Sequence, residues 1–296
     1  MMKIIVALGI VLSCCITGWT DYLADRRAAL ALVQAGKNDE ALTAFTNMAG
    51  SAASELQKSD SLEQAAGCAN RLKQYDRALD LAKSIPLPAV SKKCRMSLLG
   101  ENRKYSELIA EFKTEDIDEW PESARGGGYC SRGFAFVQLK DGPAAETDLR
   151  KSLIYIRDGN LSGAVWLTLG NTCRDLLKDD QKALAAYAEG IKMQDGGGYH
   201  VAKTSIFFSA DILRKQGKYD EALELLGKID YLQTWSGDWG VAFYSAYGET
   251  LASQGKKTEA IAKFNEALGV KDATAAQKTA CEKKIKELQG KTVDVP

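Results

Sequence analysis

A short motif recurs along the chain, and this repetition constrains the fold more than any other feature. Each copy reads as a turn, an acidic first helical turn and an apolar stripe. Clear copies are "GKNDEALTAF" (36–45), "KQYDRALDLA" (73–82), "GKYDEALELL" (217–226) and "GKKTEAIAKF" (255–264), and weaker ones are "RKYSELIAEF" (103–112), "DGPAAETDLR" (141–150) and "KDDQKALAAY" (178–187). A fixed period of about 20–50 residues predicts a solenoid, in which each unit buries its apolar face on its neighbours.

One apolar position of the motif measures the period. It falls at Ala41, Ala78, Leu108, Ala145, Ala183, Ala222 and Ala260, at intervals of 37, 30, 37, 38, 39 and 38 residues. The last copy continues with Phe264, Ala267 and Leu268, which lie on one face of a helix with Ala260.

Another helix is predicted upstream of each turn, for example over 204–216 and 241–253, and it forms the first helix of the repeat. Twelve residues before the aligned position stand small residues such as Ala66, Ala210 and Gly248. Small residues at both places let two antiparallel helices approach closely. Each repeat is therefore predicted to be a tight helical pair.

The paired pattern resembles that of the tetratricopeptide-repeat family. Trp166, Leu169 and Gly170 fit the family's W-x-x-L-G, and Ala183 with Tyr187 fits its A-x-x-x-Y. The resemblance implies an all-α, right-handed α-solenoid of about seven helix-turn-helix repeats. It also implies a protein that binds other proteins and is not an enzyme.

The resemblance covers residues 22–269. We expect the third repeat to be irregular, because Met96 and Leu108 are both large and the interval shrinks to 30 residues. Residues 270–296 are predicted to form a capping helix and a loose tail.

The charge balance argues against a nucleic-acid partner. Among 296 residues, Lys and Arg number 39 and Asp and Glu number 39. Phosphate contacts supply most of a nucleic-acid binder's affinity, and they require a basic surplus. No nucleic-acid binding is expected.

Residues 1–20 are predicted to be an export signal. Lys3 is followed by an uncharged apolar run that is shorter than a membrane span and suits a signal-peptide core. Within it "VLSC" (11–14) resembles a bacterial lipobox, which would make Cys14 a lipidation site and the protein an envelope lipoprotein. Cleavage nearer Gly18, an uncleaved anchor and a buried helix stay open.

The remaining cysteines are interpreted as buried core residues and not as metal ligands or redox-active thiols. Cys68, Cys94, Cys130 and Cys173 stand among apolar neighbours in predicted helices, and no C-x-x-C occurs. We expect small buried residues, although an exported protein allows disulfides.

Two "GGGY" stretches are the sequence's candidates for ligand loops. We interpret 126–128 and 196–198 as lengthened joints between helices, because neither is followed by a phosphate-loop pattern. A third connection, 234–240, carries Trp235 and Trp239. These rings are expected either to pack over the edge of the solenoid or to contact a ligand.

No catalytic pattern is present in the sequence. His200 is the single histidine and is interpreted as a solvated side chain. The acidic run 114–120 is interpreted as a solvated linker, with weak cation binding as the alternative. We therefore expect no catalytic residues, no metal and no cofactor, although carboxylates from distant repeats can still meet in space.

The family resemblance implies that the first helices of the repeats line a partner-binding groove. The candidate groove residues are Arg71, Lys93, Phe134, Asn171, Arg174, Phe207, Asp211, Arg214 and Glu249. Asn171, Arg174 and Arg214 suit carboxylates and peptide backbones. Pairing of the two arginines with Asp211 and Glu249 is the alternative.

The partner implied is another protein of the bacterial cell envelope, held as an extended or helical segment. The alternative is a glycan or a peptidoglycan fragment, bound by Trp235, Trp239 and groove aromatics.

Overall fold

The computed structural model describes residues 21–193, 199–230 and 237–290. Within those ranges the chain is built from α-helices and a short 3₁₀ helix, without strands. The α-helices are α1 (21–34), α2 (Asn38–Gly50), α3 (Glu55–Arg71), α4 (Tyr75–Lys83), α5 (Pro88–Glu101), α6 (Tyr105–Phe112), α7 (Glu122–Gln138), α8 (Gly142–Tyr155), α9 (Gly159–Asp175), α10 (Asp180–Ile191), α11 (Tyr199–Lys215), α12 (Tyr219–Asp230), α13 (Gly237–Ser253), α14 (Lys257–Leu268) and α15 (Ala275–Leu288). The 3₁₀ helix is Ile117–Glu119.

The helices pack in consecutive pairs, one pair for each copy of the motif. The chain divides into two compact units, Met1–Tyr155 and Ile156–Pro296. The first unit contains α1 to α8, and the second contains α9 to α15. The prediction of an all-α solenoid is confirmed.

The motif's aligned position is fully buried in every pair. All seven residues that occupy it have at most 1% of their surface exposed. Opposite them, Gly133, Gly170 and Gly248 lie so close to the second helix that a Cβ would meet a side chain there. At Gly170 that Cβ would lie 2.3 Å from the Tyr187 ring. The small residues therefore set the distance between the paired helices.

A left-handed residue stands at the same turn of every repeat, five positions before the aligned residue. The residues are Gly36, Lys73, Arg103, Lys140, Lys178, Gly217 and Gly255, with φ between 56° and 86°. Around them the chain closes the helix end: Lys73 N–H bonds to Asn70 O, and Gln74 N–H bonds to Ala69 O. Such closure satisfies the last carbonyls of a helix and fixes the turn into the next one.

The first "GGGY" stretch is not a joint, which corrects the sequence interpretation. Gly126–Gly128 lie inside α7. A Cβ on Gly128 would lie 2.7 Å from the Trp120 ring, so the glycine makes room for that ring. The second stretch, 196–198, lies outside the described residues.

The acidic run is not a solvated linker, which is a second correction. Ile117 is fully buried and Trp120 is 4% exposed, because both pack under α7. Glu115 accepts hydrogen bonds from Lys92 Nζ and Trp120 Nε1 at 2.6 and 2.9 Å. Asp118 accepts one from Lys151 Nζ at 2.6 Å.

The third repeat differs from its neighbours by shortening. Its second helix, α6, has 8 residues, and the 3₁₀ helix follows it. The preceding α4 has 9 residues against 13 in α2, and α5 has 14 against 17 in α3, which together account for the short interval between Ala78 and Leu108.

The five described cysteines are buried thiols, as predicted for four of them. Burial raises the pKa of Cys94 to about 12 and that of Cys130 to about 11. Both groups therefore stay protonated near neutral pH, which makes them poor nucleophiles.

The proposed lipidation site Cys14 and the ring of Trp235 lie outside the described residues. None of the described helices combines the length and the hydropathy needed to cross a membrane.

Candidate functional site

Three adjoining cavities in the second unit form its candidate site. The first, of about 240 Å³, lies between α11 and α13; the second, of about 320 Å³, lies between α13, α14 and α15. The third, of about 380 Å³, lies against the ends of α13 and α15. Glu249 lines all three, so the cavities adjoin one another around this residue. We call these three cavities the C-terminal groove.

Four of the predicted partner-binding residues meet in the first cavity. Phe207, Asp211, Arg214 and Glu249 all line it. On α11 they are brought to one face by helical spacing, because residues three, four and seven apart lie above one another. Glu249 joins them from α13.

Arg214 is held by carboxylates of two helices. Its Nη2 lies 2.7 Å from Asp211 Oδ1 and 3.6 Å from Glu249 Oε2. Lys215 Nζ lies 2.7 Å from Asp211 Oδ2. Two cations and two anions thus form a balanced network, and for Arg214 internal pairing, the alternative left open by the sequence, is what the structure shows.

The network also fixes the protonation of its central carboxylate. Burial alone would raise the pKa of Asp211, but the hydrogen bonds from Lys215 and Arg214 outweigh burial and hold the pKa below its usual range. Asp211 is therefore ionised near neutral pH and acts as a hydrogen-bond acceptor.

Arg174 makes different contacts from those expected. It donates two hydrogen bonds of 2.7 Å to its neighbour Asp175, and its guanidinium lies 4.0 Å from the centroid of Phe208. Stacking on an aromatic face orients the planar guanidinium. Asn171 Oδ1 accepts a hydrogen bond of 2.7 Å from the buried Tyr187 hydroxyl. Both side chains are thus engaged within α9, α10 and α11.

An aromatic cluster continues from the first cavity. Phe207 lies 6.4 Å from Trp239 and 5.6 Å from Phe208, measured between ring centroids. His200 meets Trp239 edge-on at 5.4 Å. Trp239 is 42% exposed, so it both packs on the helices and leaves part of its side chain accessible to solvent.

The other predicted groove residues lie in the first unit. Lys93 Nζ pairs with Glu63 at 2.7 Å, and Arg71 Nη1 lies 3.9 Å from Cys68 Sγ. Phe134 is half-buried on α7. Their role in partner binding stays a prediction.

Sequence reasoning missed the contribution of α15. Gln277, Ala280, Cys281 and Lys284 all face the second cavity. Their spacing of three, four and seven residues is the signal that would have found this face. The helix was predicted as a cap, and it is also a wall of the C-terminal groove.

Metal binding has no cluster to support it in the described part of the chain. No group of three or more His, Cys, Asp or Glu side chains there is arranged to hold a metal ion.

Comparison with known proteins supports the fold. No protein-family model matches the sequence, and no curated protein matches it. A tetratricopeptide-repeat protein from Parabacteroides merdae is 17% identical with a TM-score of 0.47, over 90% of this chain and 98% of that one. The C-terminal part of a TPR repeat-containing protein from Cytophaga hutchinsonii is 15% identical with a TM-score of 0.55, over 88% of this chain and 98% of that one. With the buried repeat positions described above, the second likeness identifies the chain as an all-α solenoid with the fold of the tetratricopeptide-repeat proteins.

Proposed function

We propose that the protein is a non-enzymatic scaffold that holds a segment of a partner protein in the C-terminal groove. The observation that carries the proposal is the row of three adjoining cavities along α11, α13 and α15. The tetratricopeptide-repeat fold is typical of protein-interaction scaffolds, which supports the same reading by analogy.

The chemistry of the groove suits a peptide. Phe207 offers apolar contact area, while Arg214 and Glu249 offer a donor and an acceptor whose positions are fixed by their own pairing. Pre-organised side chains lose little entropy on binding. Micromolar affinity corresponds to about −8 kcal/mol, which a few aromatic and arginine anchors can supply.

The carboxylates of the groove support binding and not catalysis. Asp211 is bonded to two cations and its pKa is lowered, whereas a general acid needs a raised pKa. Glu249 is turned toward Arg214. Asp211 is therefore not poised to donate a proton.

The location proposed is the bacterial cell envelope, with lipid attachment at Cys14. The apolar run with "VLSC" supports this part of the proposal. Metabolic labelling with a fatty acid tests it: labelled chain in the membrane fraction, lost in Cys14→Ser, is the expected result. Unlabelled soluble wild-type protein would remove the anchor from the proposal.

A second candidate function is binding of a glycan. The exposed Trp239 ring, set against Phe207 and His200, is the observation that favours it. Trp239→Ala would then abolish binding to peptidoglycan fragments, measured by calorimetry, while leaving capture of a protein partner unchanged.

Affinity capture from solubilised envelope, followed by mass spectrometry, tests the scaffold. The intact chain is compared with Phe207→Ala/Arg214→Gln, and with Lys228→Ala on α12, outside the three cavities, as the matched control. The proposal expects a protein that is retained by the intact chain and the control and is lost by the groove variant. Equal capture by all three would place the binding surface elsewhere.

A further inference from the structure

The second cavity of the C-terminal groove is an apolar recess with one cation at its edge. Val241, Ala242, Phe264 and Ala280 supply its apolar walls. Its volume of about 320 Å³ is at the lower end of ligand pockets, about 300–1,000 Å³, so it suits a single large side chain better than an extended small molecule. Lys284 lines this cavity and the neighbouring third one.

The charges around the recess do not cancel at Lys284. The network of Lys215, Asp211, Arg214 and Glu249 is balanced within itself. Lys284, which is exposed, has no carboxylate oxygen within 4.0 Å in the part of the chain that the structure describes. Glu287, one turn further along α15, lines only the third cavity. The uncompensated charge at the recess is therefore positive.

From this juxtaposition we infer that the recess between α13, α14 and α15 takes a large apolar side chain of the partner segment, and that Lys284 pairs with an Asp or Glu close to it in the partner's sequence. The inference rests on the proposed function and names the partner's chemistry: an acidic-apolar peptide. A carboxylate fits because it neutralises the charge of Lys284 while the apolar side chain leaves water.

Selection from a phage-displayed library of random peptides tests this directly, with the full chain as bait. Peptides that carry a large apolar residue beside Asp or Glu are the expected binders. Lys284→Glu as bait is expected to exchange the acidic residue for Lys or Arg. Lys283→Glu, an exposed lysine of the same helix outside the cavities, is expected to select the same peptides as the intact chain.

A second variant tests the recess without disturbing the fold. Ala280 is exposed, so Ala280→Phe fills the cavity from outside, and Ala276→Phe adds the same ring to α15 away from the cavities. The selected peptides should bind Ala280→Phe at least about tenfold more weakly, a loss of about 1.4 kcal/mol, and Ala276→Phe unchanged.

Three results would overturn the inference. Selection of no peptides, or of peptides without acidic residues, would remove the role of Lys284. Undiminished binding to Ala280→Phe would remove the recess. Self-association of the chain that Ala280→Phe abolishes, measured by sedimentation, would assign the recess to a second copy.

Failure here is distinguishable from failure of the scaffold proposal. A partner that is lost with Phe207→Ala/Arg214→Gln but retained by Ala280→Phe and Lys284→Glu would leave the scaffold standing and exclude this recess as its anchor point.

Discussion

Arg214 on α11 lies 3.6 Å from Glu249 on α13, and this contact joins the first helices of two successive repeats through their charged groups. Asp211, which precedes Arg214 by three residues on α11, binds the same guanidinium at 2.7 Å. Arg214 is therefore fixed before any partner arrives. A groove lined in this way is expected to bind with little rearrangement of its own backbone.

The Asp211 network should make stability depend on pH. Since the pKa of Asp211 is lowered below its ordinary value of 3.8, its pairing contributes above about pH 4 and is lost as the pH falls through the folded-state pKa. Asp211→Asn should lower the free energy of unfolding by about 0.5–1 kcal/mol at pH 7, because the pair is partly exposed, and by less near pH 3. Thermal melts at the two pH values check this. An equal loss of unfolding free energy at both pH values would contradict the ion-pair network assigned to Asp211.

Gly128 and Gly127 offer a matched pair of substitutions in α7. Gly128→Ala should destabilise the first unit by about 1–3 kcal/mol, because its Cβ would meet the buried Trp120 ring at 2.7 Å. Gly127→Ala meets only the flexible Lys93 side chain at 3.8 Å and should stabilise the helix by about 0.5–1 kcal/mol. Urea denaturation measures both. Similar effects of the two changes would contradict the packing described for Trp120.

These glycines show where sequence reasoning about the fold succeeded and failed. The repeat was readable because the aligned alanines and Leu108 recur at intervals of 37–39 residues, apart from the interval of 30 before Leu108. Three glycines in a row favour a loop by local propensity, yet 126–128 are helical. The reason is tertiary: the Trp120 ring occupies the space that a Cβ would need, and no local pattern reports that contact.

The left-handed turn residues predict stabilising changes. Lys140 has φ of 62°, a conformation that costs a non-glycine residue about 1–2 kcal/mol. Lys140→Gly should therefore raise the free energy of unfolding by about 0.5–1 kcal/mol after the entropy of the unfolded chain is included. Gly255→Ala, at φ of 86°, should lower it. Thermal melts of both variants measure these changes. A destabilised Lys140→Gly would contradict the left-handed turn geometry that the repeats share.

A buried ion pair should dominate the stability of the first unit. Arg132 donates to both oxygens of Asp148 at 2.6 and 3.0 Å and also to the carbonyls of Phe112 and Glu115. Arg132→Leu should cost about 3–5 kcal/mol, because Asp148 is left buried and unpaired.

A matched control lies on the same helix as Asp148. Arg150→Ala removes a partly exposed pair with Glu146 and should cost under about 1 kcal/mol. Denaturant titrations compare the two variants, and a comparable small loss for Arg132→Leu would show that the buried pair is dispensable.

The candidate site was only partly readable from the sequence. Repeat register placed Phe207, Asp211, Arg214 and Glu249 on one predicted face, and the structure brings them to one cavity. The pairing of Arg174 with Asp175, and not with Asp211 or Glu249, depends on side-chain geometry that register does not specify. The recess under Lys284 exists only because α15 packs beside α13 and α14, a contact that lies outside the repeat pattern.

Affinity of a purified partner segment for the C-terminal groove is the most direct test of the scaffold. Isothermal titration should give a Kd at least about tenfold weaker for Phe207→Ala/Arg214→Gln than for the intact chain, with Lys228→Ala unchanged. An unchanged Kd for the groove variant, with its helical fold intact by circular dichroism, would contradict the assignment of the groove as the binding site.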